Sequence, residues 1–130
     1  MASRQRLHSI IIDDDEASAS VLETLLTHLQ VDVTIINDTR NIEQVLHNVP
    51  HADIVFLDLE MPNINGYDVL NYLHKEPDFT DTKIVAYTTH ISHMNTARQA
   101  GFDAFLGKPI DSRAFADNFE RILEGESIWQ

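Results

Sequence analysis

Three short runs of this chain, Ser9-Ile10-Ile11-Ile12, Ile54-Val55-Phe56-Leu57 and Lys83-Ile84-Val85-Ala86-Tyr87, are apolar almost without interruption, and the first two end on a carboxylate. A strand with one wet face alternates apolar and polar residues, whereas an unbroken apolar run suits a strand covered on both faces, as crossover helices do for a parallel sheet. Segments of helical spacing lie between the runs, with Val21, Leu22, Leu25, Leu26 and Leu29 in the first and Phe115, Phe119, Ile122 and Leu123 in the last. Weaker strand signals at Val31 to Ile36 and Ala104 to Leu106 complete five βα units. The expectation is a doubly wound α/β sandwich with helices on both faces of its sheet.

The 130 residues suit one domain spanning 1–130, with a flexible start at 1–7, a tail at 125–130, and no Gly/Ser or Pro-rich linker. No cysteine is present, which removes disulfides, thiol nucleophiles and CxxC metal sites. MASRQRLHSIII has no apolar stretch of signal-peptide length, and no later run approaches a membrane span, so a cytoplasmic protein without a membrane partner is expected. The net charge of −12, from 21 acidic against 9 basic residues, repels phosphate backbones. Direct nucleic-acid binding is therefore not expected.

In open α/β sheets, ligands collect outside the carboxyl ends of the strands. Here those ends carry Asp13, Asp14, Asp15 and Glu16 after the first strand, Asp58 and Glu60 after the third, Thr88 and Thr89 after the fourth, and Gly107, Lys108 and Pro109 after the fifth. Asp15 and Glu16 suit the start of a helix, whose dipole favours acids. Asp58 does not, because Pro62 and the turn-forming Asn63, Ile64, Asn65 and Gly66 stand between it and the next helix. If Asp13, Asp14 and Asp58 converge, mutual repulsion makes the arrangement tolerable only beside a cation. Lys108 is one candidate. Mg²⁺ is the other, since it takes one or two carboxylates together with a phosphate and keeps several waters. Cations and a hydroxyl around one carboxylate form a site for a phosphoryl group, with Asp58 as nucleophile.

These residues resemble the receiver domain of two-component response regulators. The resemblance rests on IIIDD, FLDLEMPNINGYDVL, VAYTT and FLGKP, and it covers nearly the whole chain. It implies a five-stranded parallel sheet of order 2-1-3-4-5. It further implies Asp58 as phosphoacceptor, Asp14 as a direct Mg²⁺ ligand, Asp13 as an outer-sphere or second metal-site acid, and Glu60 as a backbone-carbonyl ligand. Thr88 and Lys108 match the residues that contact the phosphoryl oxygens, Phe105 matches the aromatic coupled to Thr88 in switching, and the bond to Pro109 matches a position that is usually cis. Thr89 departs from the small residue usual beside the phosphoryl site. With the negative side chain of Glu60, it is expected to modulate access.

The implied function is that of a stand-alone response regulator. A histidine kinase or histidine phosphotransfer protein supplies the phosphoryl group, and the output is a changed contact with a downstream protein or onward relay. The domain acts catalytically only in its own phosphorylation and dephosphorylation and is otherwise not an enzyme. Two other classes remain open. A receiver-shaped module that never carries phosphate would ordinarily have lost the acids, Thr or Lys, and all are present. A Mg²⁺-dependent phosphohydrolase would place an Asp where Glu60 stands. GFDAFLGKP is no nucleotide loop, since five residues separate its glycines and Pro109 replaces the hydroxyl residue. His90 and His93 read as surface histidines rather than a metal pair. Trp129 either folds back on its own domain or anchors a partner such as a second copy, and the sequence does not separate these.

Overall fold

A computed structural model describes residues 6–130 of the chain. Its strands are β1 His8–Ile12, β2 Asp32–Ile36, β3 Ile54–Asp58, β4 Lys83–Thr88 and β5 Ala104–Gly107, and its helices are α1 Glu16–His28, α2 Ile42–Asn48, α3 Gly66–Lys75, α4 Met94–Ala100 and α5 Phe115–Leu123. All pairings are parallel, and the sheet order is 2-1-3-4-5, as the resemblance implies. Strand bounds differ from the expected ones by a residue. β3, β4 and β5 each run one residue further, so that Asp58, Thr88 and Gly107 belong to the sheet.

Period-two alternation sorts the strand side chains into two cores. Ile10, Ile12, Val55, Leu57, Ile84, Ala86 and Phe105 face Ile42 and Leu46 of α2, Val69, Leu70 and Leu73 of α3 and Ala97 of α4. Ile11, Ile54, Phe56, Val85, Tyr87, Ala104 and Leu106 face Ala19, Leu22 and Leu26 of α1 and Phe115, Phe119 and Ile122 of α5. The central strands are therefore buried on both sides, which is what their unbroken apolar runs require. Leu22 and Leu26 are fully enclosed. Truncating either to Ala costs about 2–5 kcal/mol through lost transfer energy and the cavity left behind.

Two local features set the starts of the helices that follow β1 and β3. α1 starts at an Asp15 cap, whose side chain accepts from Ala17 N–H, as its acids suggest. α3 starts at Gly66, where a Cβ would come within 2.8 Å of Leu59 Cδ2 and 3.4 Å of the Asp58 carbonyl. A larger residue there would push the Leu59 side chain aside, so Gly66 lets the helix pack closely on the end of β3.

The expected flexible start lies partly outside the described residues, which begin at Arg6. Arg6 Nε donates to Asp32 at 2.9 Å, and Leu7 packs on the α1 and α5 core. The other end turns at Gly125, in left-handed backbone with φ +97, and returns to the sheet. Phe105 N–H donates to Ile128 O, Gln130 N–H to Phe105 O, and Gly107 N–H to Gln130 O, at 2.7, 3.0 and 2.7 Å. Ile128 to Gln130 thus add a short parallel segment to the edge of β5, the fold-back alternative for Trp129. Ile128 is buried on the α5 side, and Trp129 packs on the α4 side with the Arg98 guanidinium 4.8 Å from its ring centroid.

Candidate functional site

Register brings the polar rim together. Ile12 lies beside Leu57 and Asp58 beside Tyr87, so Asp13 and Asp58 project from neighbouring strand ends; Thr88 lies beside Gly107, which places Lys108 at the same rim. One carboxylate oxygen from each of Asp13, Asp14 and Asp58 falls within a 4.8 Å cluster, with Asp13 and Asp58 buried and Asp14 exposed.

Lys108 closes the cluster, its Nζ 3.3 Å from Asp13 Oδ2 and 3.5 Å from Asp58 Oδ2. Only 11% of that side chain is exposed, so its charge acts through little water. Asp13 is held on both oxygens, Oδ1 accepting from Asp15 N–H at 2.9 Å and Oδ2 from the Tyr87 hydroxyl at 2.6 Å. Asp58 Oδ1 accepts from Glu60 N–H at 2.9 Å.

One ammonium does not neutralise two buried carboxylates. Burial pushes the Asp58 carboxyl from its ordinary 3.8 up to about 6, with Asp13 adding to the rise and Glu60 N–H and Lys108 opposing it. Burial and the neighbouring Asp13 likewise push the Tyr87 hydroxyl upward, which keeps it a hydrogen-bond donor. The donor set of hard carboxylate oxygens, two of them enclosed and undercompensated, fits a small divalent cation.

Of the remaining expected residues, Glu60, Thr88 and Thr89 gather at the rim beside Asp58. Thr88 is fully buried, and Thr89 is exposed at the mouth. Glu60 is bent onto both: its Oε1 accepts from the Thr88 hydroxyl, from Thr89 N–H, and from the Thr89 hydroxyl at 2.7 Å. Partial burial opposes its ionisation, but the hydrogen bonds from Thr88 and Thr89 and the nearby His90 bring the Glu60 carboxyl down to about 2. Phe105 is completely buried against the α4 layer, and the Lys108–Pro109 bond is cis. His90 and His93 are exposed; His90 precedes and His93 ends a single 3₁₀ turn, Ile91–His93, ahead of α4.

Two participants escaped the sequence reading. Tyr87 stood there only as the end of a strand, yet its hydroxyl fixes Asp13 and its ring lies 4.5 Å from Lys108 Nζ. A Tyr closing an otherwise aliphatic buried strand is a usable signal, because a buried phenol needs a partner. The second is a groove of about 210 Å³ beside the mouth, lined by Ala17, Ser18, Val21, Tyr87, Lys108 and Pro109 among others. Val21 is 55% exposed there, although its helical spacing suggested a core position.

Comparison with known proteins agrees with this geometry. The family model described as the response regulator receiver domain matches residues 10–120. Stress response regulator protein 1 of Candida dubliniensis is 30% identical over 106 residues, which make up 78% of this chain and 37% of that protein. Sensor histidine kinase AtsR of Burkholderia thailandensis is 33% identical over 107 residues, covering 80% of this chain and 18% of the kinase. The chain thus spans well under half the length of these relatives. Among solved structures, a putative response regulator from Chloroflexus aurantiacus superposes with a TM-score of 0.79 at 24% identity, covering 92% of this chain and 99% of that one. The chemotaxis response regulator CheY4 of Vibrio cholerae gives the same score at 17% identity, covering 91% and 99%. At these identities the structures support the shared fold.

Proposed function

Because this chain belongs to the response regulator receiver family, we propose that it is a phosphoacceptor signalling domain in which Asp58 takes a phosphoryl group from a histidine kinase or histidine phosphotransfer protein. The observation that carries this is the pairing of a nearly buried Asp58 with Lys108, Thr88 and two further acids on one rim. Receiver domains are signalling modules rather than enzymes acting on separate substrates, and Glu60, where a phosphohydrolase would need its second Asp, is committed to Thr88 and Thr89.

Asp58 attacks phosphorus through a carboxylate oxygen. The bond from phosphorus to the donor's imidazole nitrogen breaks as the new O–P bond forms, and the imidazole leaves with its electron pair. For a loose transition state most of the catalysis is positioning and charge compensation. Lys108 is already within salt-bridge distance of the acceptor, and the Thr88 hydroxyl is a donor for a phosphoryl oxygen. Asp13, Asp14, Asp58 and the Glu60 carbonyl would hold Mg²⁺, which supplies charge neutralisation to the transferring group. Tyr87 and Asp15 N–H keep Asp13 oriented for that role. Glu60 and Thr89 stand at the mouth and set access.

The donor must bring a histidine to the rim, and the groove at Val21, Ala17 and Pro109 is an apolar surface beside it. We assign that groove to the phosphodonor protein. The output face is α4 with β5, where Phe105 lies two residues before Gly107, the strand partner of Thr88. A change at Thr88 reaches a downstream protein through Phe105, α4 and Trp129. A second copy or an onward phosphorelay would use the same face and acceptor.

Intact mass after incubation with acetyl phosphate tests the acceptor assignment. Gain of one phosphoryl group by the parent with Mg²⁺, and none with chelator or in Asp58→Asn, is expected. Equal labelling of Asp58→Asn would overturn it.

A further inference from the structure

The hydroxyl of Thr88 and the N–H of Thr89 stand just past Tyr87, the strand neighbour of Asp58, and both already have an acceptor. Glu60 Oε1 takes the two of them together with the Thr89 hydroxyl, so one carboxylate oxygen collects three donors. Its other oxygen lies 3.9 Å from His90 Nε2. Meanwhile Glu60 N–H is bound to Asp58 Oδ1 at 2.9 Å, which ties the backbone of Glu60 to the acceptor itself. A carboxylate and a phosphoryl group are alike in what they ask of such donors, since both are anionic oxygens that shorten and strengthen the hydrogen bonds they accept.

We propose that the Glu60 side chain is an internal occupant of the phosphoryl-oxygen cradle, so that phosphoryl transfer to Asp58 requires Glu60 to release Thr88 and Thr89. This deepens the phosphoacceptor reading and rests on it. Glu60 is then a gate acting by competition for donors rather than by repulsion at a distance. The displaced carboxylate swings to solvent, and the phosphoryl oxygens inherit its two inner donors, Thr88 Oγ1 and Thr89 N–H. Small anionic donors must wait for the cradle to open. A protein donor docked beside Val21 remains in place while it opens, so the gate discriminates in favour of donors with long residence. The same occupancy holds Thr88 against the rim while Phe105 is fully buried, which presets the two residues that the phosphoryl group would otherwise organise.

Competition and repulsion separate by salt and by spectroscopy. The rate of labelling from acetyl phosphate with Mg²⁺ is measured for the parent, Glu60→Gln and Glu60→Ala, at low salt and near 1 M KCl, together with the amide proton shift of Thr89. A charged acceptor is worth enough that its removal should raise the Glu60→Ala rate roughly tenfold or more, with Glu60→Gln between. That gap should persist near 1 M salt, where the screening length is about 3 Å and a through-solvent repulsion has vanished. The Thr89 amide should move upfield in unlabelled Glu60→Ala and return downfield once Asp58 is phosphorylated. Equal rates, a gap that collapses in high salt, or a Thr89 amide indifferent to Glu60→Ala would overturn the gate. Absence of labelling in the parent and in both variants would overturn the acceptor reading itself.

Discussion

Replacing Asp58 by Asn should stabilise the metal-free protein at neutral pH. Burial and Asp13 raise the Asp58 carboxyl from 3.8 to about 6. The folded chain therefore binds more protons at this site than the unfolded chain between about pH 4 and pH 6, and stability falls as pH rises through that window. At about 1.36 kcal/mol per pH unit, the penalty amounts to ~3 kcal/mol, fully present above about pH 7 and absent below about pH 4. Asn keeps the shape without the charge, while Lys108 retains Asp13 at 3.3 Å as its partner. Urea unfolding of parent and Asp58→Asn in chelator should give a gap of about 2–3 kcal/mol near pH 7.5 that closes towards pH 4, and a rise in Tm of roughly 10 °C at the higher pH. Millimolar Mg²⁺ should narrow the gap by binding the folded parent. A variant less stable than the parent at neutral pH, or a gap that does not vary with pH, would refute the claim that Asp58 is a buried, undercompensated charge.

Protonation of Asp58 should also compete with the cation: with a value of about 6, its ionised fraction falls roughly tenfold between pH 7 and pH 5, and calorimetry should find the Mg²⁺ Kd rising by about that factor. Tyr87→Phe removes a donor from buried Asp13 and should cost ~1–3 kcal/mol in urea unfolding, with weaker Mg²⁺ binding that a purely structural tyrosine would not produce. Trp129 is the only tryptophan, so its fluorescence reports the segment on β5; Arg98→Ala should red-shift the emission and cost about 0.5–1 kcal/mol through loss of the cation–π contact. Val21→Asp should slow labelling by a phosphohistidine protein several-fold while leaving labelling by acetyl phosphate unchanged, and equal slowing of both would remove the groove from donor docking.

The sheet was legible because its central strands are buried on both faces, which only a continuous apolar run such as Ile54 to Leu57 satisfies. The site was legible because carboxylates, hydroxyl and lysine each follow a strand, and parallel strands deliver their ends to one rim. Strand order was not derivable from periodicity, since alternation assigns faces but not neighbours; it came from the family resemblance. The posture of Glu60 was also hidden, because which of two nearby hydroxyls and an amide a side chain reaches depends on register between β3 and β4. The pairing of Ile128 to Gln130 with β5 was hidden for a related reason. Three residues are too few for a strand signature, and their partner is the free edge of a strand that precedes them by more than twenty positions. Tyr87 carried a signal that went unused, a polar handle on a buried strand.

The most direct measurement locates the phosphoryl group. Protein labelled by acetyl phosphate with Mg²⁺ is treated with borohydride, which reduces an aspartyl phosphate to homoserine, and its peptides are sequenced by mass spectrometry. Homoserine at position 58, and at no other acid of the rim, is the predicted result. Reduction at Asp13 or Asp14, or a phosphoryl group that survives borohydride on a histidine or hydroxyl residue, would contradict Asp58 as the acceptor.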